Sequence, residues 1–116
     1  MKKILGIIFL MVSMTAGAEG ILLKGGSVDC GKWLNARKLQ TAKYYEHYLF
    51  GVVDGLALGN GINVWAGKGG RVTQEQFYYW MDAYCQKNPL DFTVTGAWEF
   101  ADEMSEGSFK KKAQTK

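Results

Sequence analysis

The chain has 116 residues, with 14 lysines and arginines against 11 aspartates and glutamates, one histidine, two cysteines and one proline. That length suits one small domain, and two cysteines with one histidine make a poor zinc set. Residues 19–109 carry 8 basic against 11 acidic side chains, so the body lacks the basic face that nucleic-acid binding needs.

The chain opens Met1-Lys2-Lys3, continues with an apolar run from Ile4 to Met14 and reaches Thr15-Ala16-Gly17-Ala18. A basic start, a short apolar stretch and small residues at a cleavage site predict a secretory signal over residues 1–18, cut after Ala18. The run falls short of the roughly 20 residues that span a bilayer, no later segment is long and apolar enough, and no cysteine directly follows the cut. The expectation is a chain exported to the periplasm without stable membrane insertion. Export favours a Cys30–Cys85 disulfide, which would restrict the unfolded chain by roughly 4 kcal/mol in the entropy account.

Residues 19–27, with Gly20, Gly25 and Gly26, read as a flexible lead-in to a helical domain over 28–106. A short first helix is expected around Trp33-Leu39. A second runs from Thr41 to about Leu58, its stripe set by Ala42, Tyr45, Leu49, Val52, Val53 and Leu56. The opposite face of that helix carries Gly51, Gly55 and Gly59. Each glycine inside a helix costs about 1 kcal/mol relative to alanine, so this face is expected against another backbone, in the domain or on a partner. The second helix is therefore expected at the centre, and a homodimer is left open.

Residues 60–71 read as a glycine-rich loop bearing Ile62, Val64 and Trp65. Its Gly67-Lys68-Gly69-Gly70 lacks the spacing of a phosphate-binding loop, because Ile62 and Gly69 stand where glycine and Ser/Thr are required. Thr73 with Gln76 predicts a capping box for a third helix, with Phe77, Trp80, Met81, Tyr84 and Cys85 on one face and Tyr79, Asp82 and Gln86 on the other. Asn88-Pro89 predicts the start of a fourth helix, striped by Leu90, Val94, Ala97, Ala101 and Met104. Residues 107–116 are expected to form a basic disordered tail. No stretch alternates with period two, so the fold predicted is all-α, a small four-helix disulfide-linked bundle with three long helices and one short.

Motifs for chemistry are few. His47 lies on the polar side of the second helix with Asp54, no Gly-x-Ser-x-Gly elbow or paired metal-ligand spacing occurs, and Glu99, Asp102, Glu103 and Glu106 read as a solvated face. No catalytic, metal or cofactor-binding residue is predicted. Aromatic residues are plentiful: 15 Phe, Tyr and Trp remain after residue 18, and Trp65, Tyr79 and Phe92 fall off the predicted core faces. Such side chains are enriched at protein interfaces. The expected partner-binding set is Ile62, Val64, Trp65, Lys68, Arg71 and Tyr79.

Cys30-x-x-Trp33-Leu34-x-x-Arg37, Leu49-Phe50-Gly51-x-x-x-Gly55, Trp80-Met81-Asp82-x-Tyr84-Cys85 and Asn88-Pro89-Leu90 follow one another between residues 30 and 90, within a likeness that extends over roughly residues 28–104. This pattern resembles the Rap/Tai-like periplasmic immunity proteins that neutralise amidases of type VI secretion. The resemblance implies a non-enzymatic inhibitor whose partner is a secreted amidase effector. A looser likeness is to periplasmic acid-stress chaperones, from which the aromatic content departs. An accessory of an envelope or conjugative apparatus is the other reading.

Overall fold

A computed structural model describes residues 27–67 and 69–109 of the chain. The expected signal, most of the lead-in, Lys68 and the lysines from Lys110 onward lie outside the described residues. Among the described residues four helices follow one another: α1 (Cys30–Lys38), α2 (Lys43–Asn60), α3 (Gln74–Lys87) and α4 (Thr93–Met104), with a single 3-10 turn, Val64–Ala66, between α2 and α3. Among the described residues there is no strand, only an isolated antiparallel bridge between Asp29 and Phe92. The all-α, disulfide-linked bundle is the fold.

Local chemistry explains most helix ends. Asp29 caps α1, its carboxylate accepting from the Lys32 amide at 2.8 Å, which satisfies one of the orphan donors of the first turn. Thr73 and Gln76 form the expected capping box of α3, with bonds of 3.1 and 2.8 Å. At the end of α2, Gly61 takes the left-handed conformation (φ 63°). The Ile62 and Gly61 amides then donate back to the carbonyls of Ala57 and Leu58, a Schellman closure that turns the chain out of the helix.

The start of α4 departs from expectation. Asn88 does not open this helix but closes α3: its backbone amide and Nδ2 both donate to the Tyr84 carbonyl. Residues 88–92 then run as a loop across the beginning of α1. The Cys30 amide donates to the Asp91 carbonyl and the Thr93 amide to the Val28 carbonyl, each at 2.9 Å. Thr93 Oγ1 adds a bond to the Val28 carbonyl at 3.0 Å. Tertiary pairing therefore overrides the proline signal and delays the helix to Thr93. Leu90, expected in the core stripe of α4, stands 93% exposed instead.

A ladder of unlike rungs joins α1 to α3. Cys30 and Cys85 form the disulfide, with a Cα–Cα distance of 4.9 Å and both residues fully buried. One turn on, Trp33 Nε1 donates to Asp82 Oδ1 at 2.8 Å. One turn further, Arg37 reaches the same carboxylate and lies over the rings of Tyr78 and Tyr79 at 5.7 and 5.8 Å. Residues 30, 33 and 37 share one face of α1, as 85, 82 and 78 share one of α3, because three- and four-residue steps are neighbours on a helix.

The central helix is α4, not α2, as it packs on α2, on α3 and on the 3-10 turn. Its small residues permit this. A Cβ placed on Gly96 would lie 2.7 Å from Met81 Sδ and from the Tyr84 ring. Ala97, Phe100 and Ala101 are buried against Leu49, Val53, Phe77 and Met81. The Gly51-Gly55-Gly59 face of α2, by contrast, faces open space, with no described atom within 4 Å of a Cβ built at any of the three. Its expected partner backbone is absent among the described residues. Packing also extends past the expected boundary at 106: Phe109 is buried and meets Trp98 edge-on, ring centroids 5.4 Å apart.

Candidate functional site

The predicted partner-binding loop turns its apolar side chains toward the core, and its Lys68 lies outside the described residues. Val64 is fully buried, and Ile62 and Trp65 pack against the core. Trp65 is half-buried against three rings, with centroids 4.7 Å from Phe50 and 5.7 Å from both Phe77 and Phe100. Its Nε1 donates to Asp54 at 2.6 Å, and its carbonyl accepts the Val72 amide at 2.8 Å. A loop with three large apolar groups gains more by folding them onto a bundle this small than by leaving them wet. Arg71 is exposed and Tyr79 stands 66% exposed under the Arg37 guanidinium. Among the described members of the set, buried Val64 is thus set apart from exposed Arg71 and Tyr79.

Arg37 is the centre of the polar interior. It donates to both oxygens of Asp82 at 2.9–3.2 Å and to Glu46 at 2.8 Å, joining α1, α2 and α3 through one side chain. The Asp82 hydrogen bonds hold the guanidinium pKa above its ordinary value. Asp82, read from the sequence as an outward residue, is thus the acceptor that aligns α1 with α3. A planar guanidinium paired in this two-pronged way on one side and singly on the other leaves little capacity for a ligand. This knot is architectural.

Between α3 and α4 lies an open cleft of about 630 Å³. One wall is aromatic: Trp80 and Tyr84 stack, centroids 5.4 Å apart and planes 11° from parallel. The other is acidic, with Asp91, Glu99, Asp102 and Glu103 along it and no lysine or arginine in the lining. Trp80 Nε1 donates to Glu103 at 3.0 Å, and the Tyr84 hydroxyl donates to Asp91. Burial and that carboxylate neighbour push the Tyr84 pKa above the usual tyrosine range. Asp102, expected on a solvated face, is only 6% exposed. Lys87 stands at the adjoining hollow beside Trp80 and Glu103.

The loop that supplies Asp91 to this cleft also carries Leu90 and Phe92, 93% and 57% exposed. The bridge to Asp29 and the bonds from Cys30 and Thr93 fix its backbone. Sequence reasoning placed Phe92 outside the core but placed Leu90 inside it. Spacing gave no warning, because Leu90 and Val94 stand four apart, as neighbours on one helix face do. Among the described residues no helix is long and apolar enough to cross a membrane. Set against family models, curated proteins and solved structures, the chain has no significant match.

Proposed function

We propose that this chain is an exported binding protein of the immunity type, acting by covering a partner enzyme rather than by chemistry of its own. The observation that carries the reading is the exposure of large apolar side chains on a frame that cannot easily hide them. Leu39, Tyr44, Leu58, Tyr79, Leu90 and Phe92 are all more than half exposed on a small bundle pinned by a disulfide. Exposed aromatics on a rigid scaffold are what interface anchors require. The disulfide supports an oxidising compartment, in keeping with the signal-like residues 1–18 and a periplasmic location. The resemblance to amidase immunity proteins supplies the class of partner.

Cross-linked capture of the mature chain from periplasm, followed by assay of the captured proteins, tests this. The expected result is a secreted cell-wall amidase whose activity falls stoichiometrically as purified chain is added. Capture of conjugation or envelope machinery alone, or an amidase left fully active, overturns it.

A further inference from the structure

We infer that the outward face of α2 is a two-fold interface, on which a second copy of this chain docks its own α2 in antiparallel orientation. The inference stands apart from the immunity reading, because the face is complementary to itself and needs no amidase.

Tyr44, Tyr48, Gly51, Gly55 and Leu58 follow one another along α2 at steps of four, three, four and three. That is the heptad spacing by which one helix keeps a single seam toward another. Tyr44 and Leu58 stand 64% and 86% exposed, whereas Leu49 and Val53 on the other side of the helix are fully buried. No described atom lies within 4 Å of a Cβ built on Gly51 or Gly55. The seam is thus uncovered among the described residues.

The order of sizes along the seam identifies the occupant. Rings fill its first half, glycines follow, and Tyr44 and Leu58 lie seven residues to either side of Gly51. An antiparallel copy crossing at Gly51 sets Tyr44 of each chain against Leu58 of the other. It also brings each Tyr48 ring over the room left by Gly51 and Gly55 of the other. Both ends are matched at once, since a two-fold interface repeats every contact. A parallel copy would set ring on ring at one end and glycine on glycine further along, a clash beside a void.

Charge selects the same orientation. Lys43 and Asp54 are the exposed ionic groups along this face, one at the start of the helix and one in its second half. Lys43 stands at the positive end of its own helix dipole, and the last turn of α2 carries no basic residue. Antiparallel docking carries Lys43 to the negative end of the second copy's helix and toward its Asp54. Parallel docking would set lysine beside lysine and aspartate beside aspartate. Tyr44 and Leu58 then belong to the interface between copies, which leaves Leu39, Tyr79, Leu90 and Phe92 exposed for another partner.

Sedimentation equilibrium of the mature chain across a range of concentrations tests this. The parent should double in mass as concentration rises. Gly51→Glu places two like charges at the crossing point and should weaken dimerisation more than tenfold. That position is open, so the melting curve of the dilute variant should stay intact. Tyr44→Glu and Leu58→Lys should each weaken the dimer as well, and an equimolar mixture of those two should regain it. The antiparallel register sets the new carboxylate of one chain against the new amine of the other.

A parent that stays monomeric at every concentration overturns the proposal, as does a dimer indifferent to all three substitutions. A mixture that associates no better than its components overturns it too, and decides alone should Gly51→Glu fail to fold. No amidase enters the measurement, so a missing dimer leaves the immunity reading standing. A dimer of a chain that inhibits no amidase supports this interface and overturns that reading.

Discussion

Trp65 shows how one side chain can change its meaning between sequence and structure. In the sequence it stands among glycines and looks like an anchor offered to a partner. In the fold its ring touches Phe50, Phe77 and Phe100 and its indole N–H is bonded to Asp54. Trp65→Ala should therefore cost stability, about 2–3 kcal/mol for a half-buried large aromatic, measured as a drop in the denaturation midpoint. A melting curve unchanged by this substitution would return Trp65 to the surface. Tyr84 gives a pH signature at the same scale. Its pKa is raised in the fold by burial and by Asp91, so as pH rises the unfolded chain loses this proton first. The stabilising contribution is complete below the ordinary tyrosine pKa of about 10 and is lost progressively above it. Alkaline unfolding should flatten in Tyr84→Phe, and absorbance titration should show one fewer late-ionising tyrosine. An identical alkaline limb in the two proteins would contradict this.

At the scale of the element, two helical glycines that look alike in the sequence are opposites in the structure. Gly55 lies on an open face of α2, whereas Gly96 is the point where α4 approaches Met81 and Tyr84. Gly55→Ala should raise stability by about 1 kcal/mol, the helix-propensity difference. Gly96→Ala should lower it by about 1–3 kcal/mol, since the added methyl must displace a packed ring. Chemical denaturation of the two variants against the parent decides the matter, and a shared sign would mean the helices are packed otherwise. The same contrast explains why α4 is central: Gly96, Ala97 and Ala101 let it sit between neighbours. The glycines of α2 receive no described neighbour at all.

Across the whole molecule, the link from α1 to α3 ties the two halves of the chain. Cys30–Cys85 closes a separation of 55 residues, and the Trp33 and Arg37 bonds to Asp82 continue the same seam. Constraint of the unfolded chain by such a loop is worth roughly 4 kcal/mol, a large share of the 5–15 kcal/mol typical of a native domain. Cys85→Ser should lower the melting temperature by well over about 10 °C, given roughly 4–8 °C per kcal/mol at this size. Thiol titration of the parent purified without reductant should find no free cysteine. A melting temperature that barely moves would mean that the helix contacts hold the fold without the bridge.

What could be read from the sequence was what local periodicity and capping chemistry control. The stripe through Leu49 and Val53, the Thr73–Gln76 box and the face of Phe77, Met81 and Cys85 each follow from spacing alone, and all three stand in the fold. The cysteine pair followed from an even count in a chain with an exported look. The remaining features depend on which element meets which. Nothing near Asn88 announces that Asp91 and Thr93 will pair with Cys30 and Val28, more than sixty residues away, so the proline signal pointed to a helix that starts later. Nothing in α3 marks Asp82 as the acceptor for α1, and a period-3.6 pattern cannot say whether a glycine face is covered. Nor can a run of Asp91, Glu99, Asp102 and Glu103 show by itself that these carboxylates share one cleft with Trp80 and Tyr84. Local chemistry selects the helices, but surfaces are made where helices are brought together, and that is decided only by the packed core.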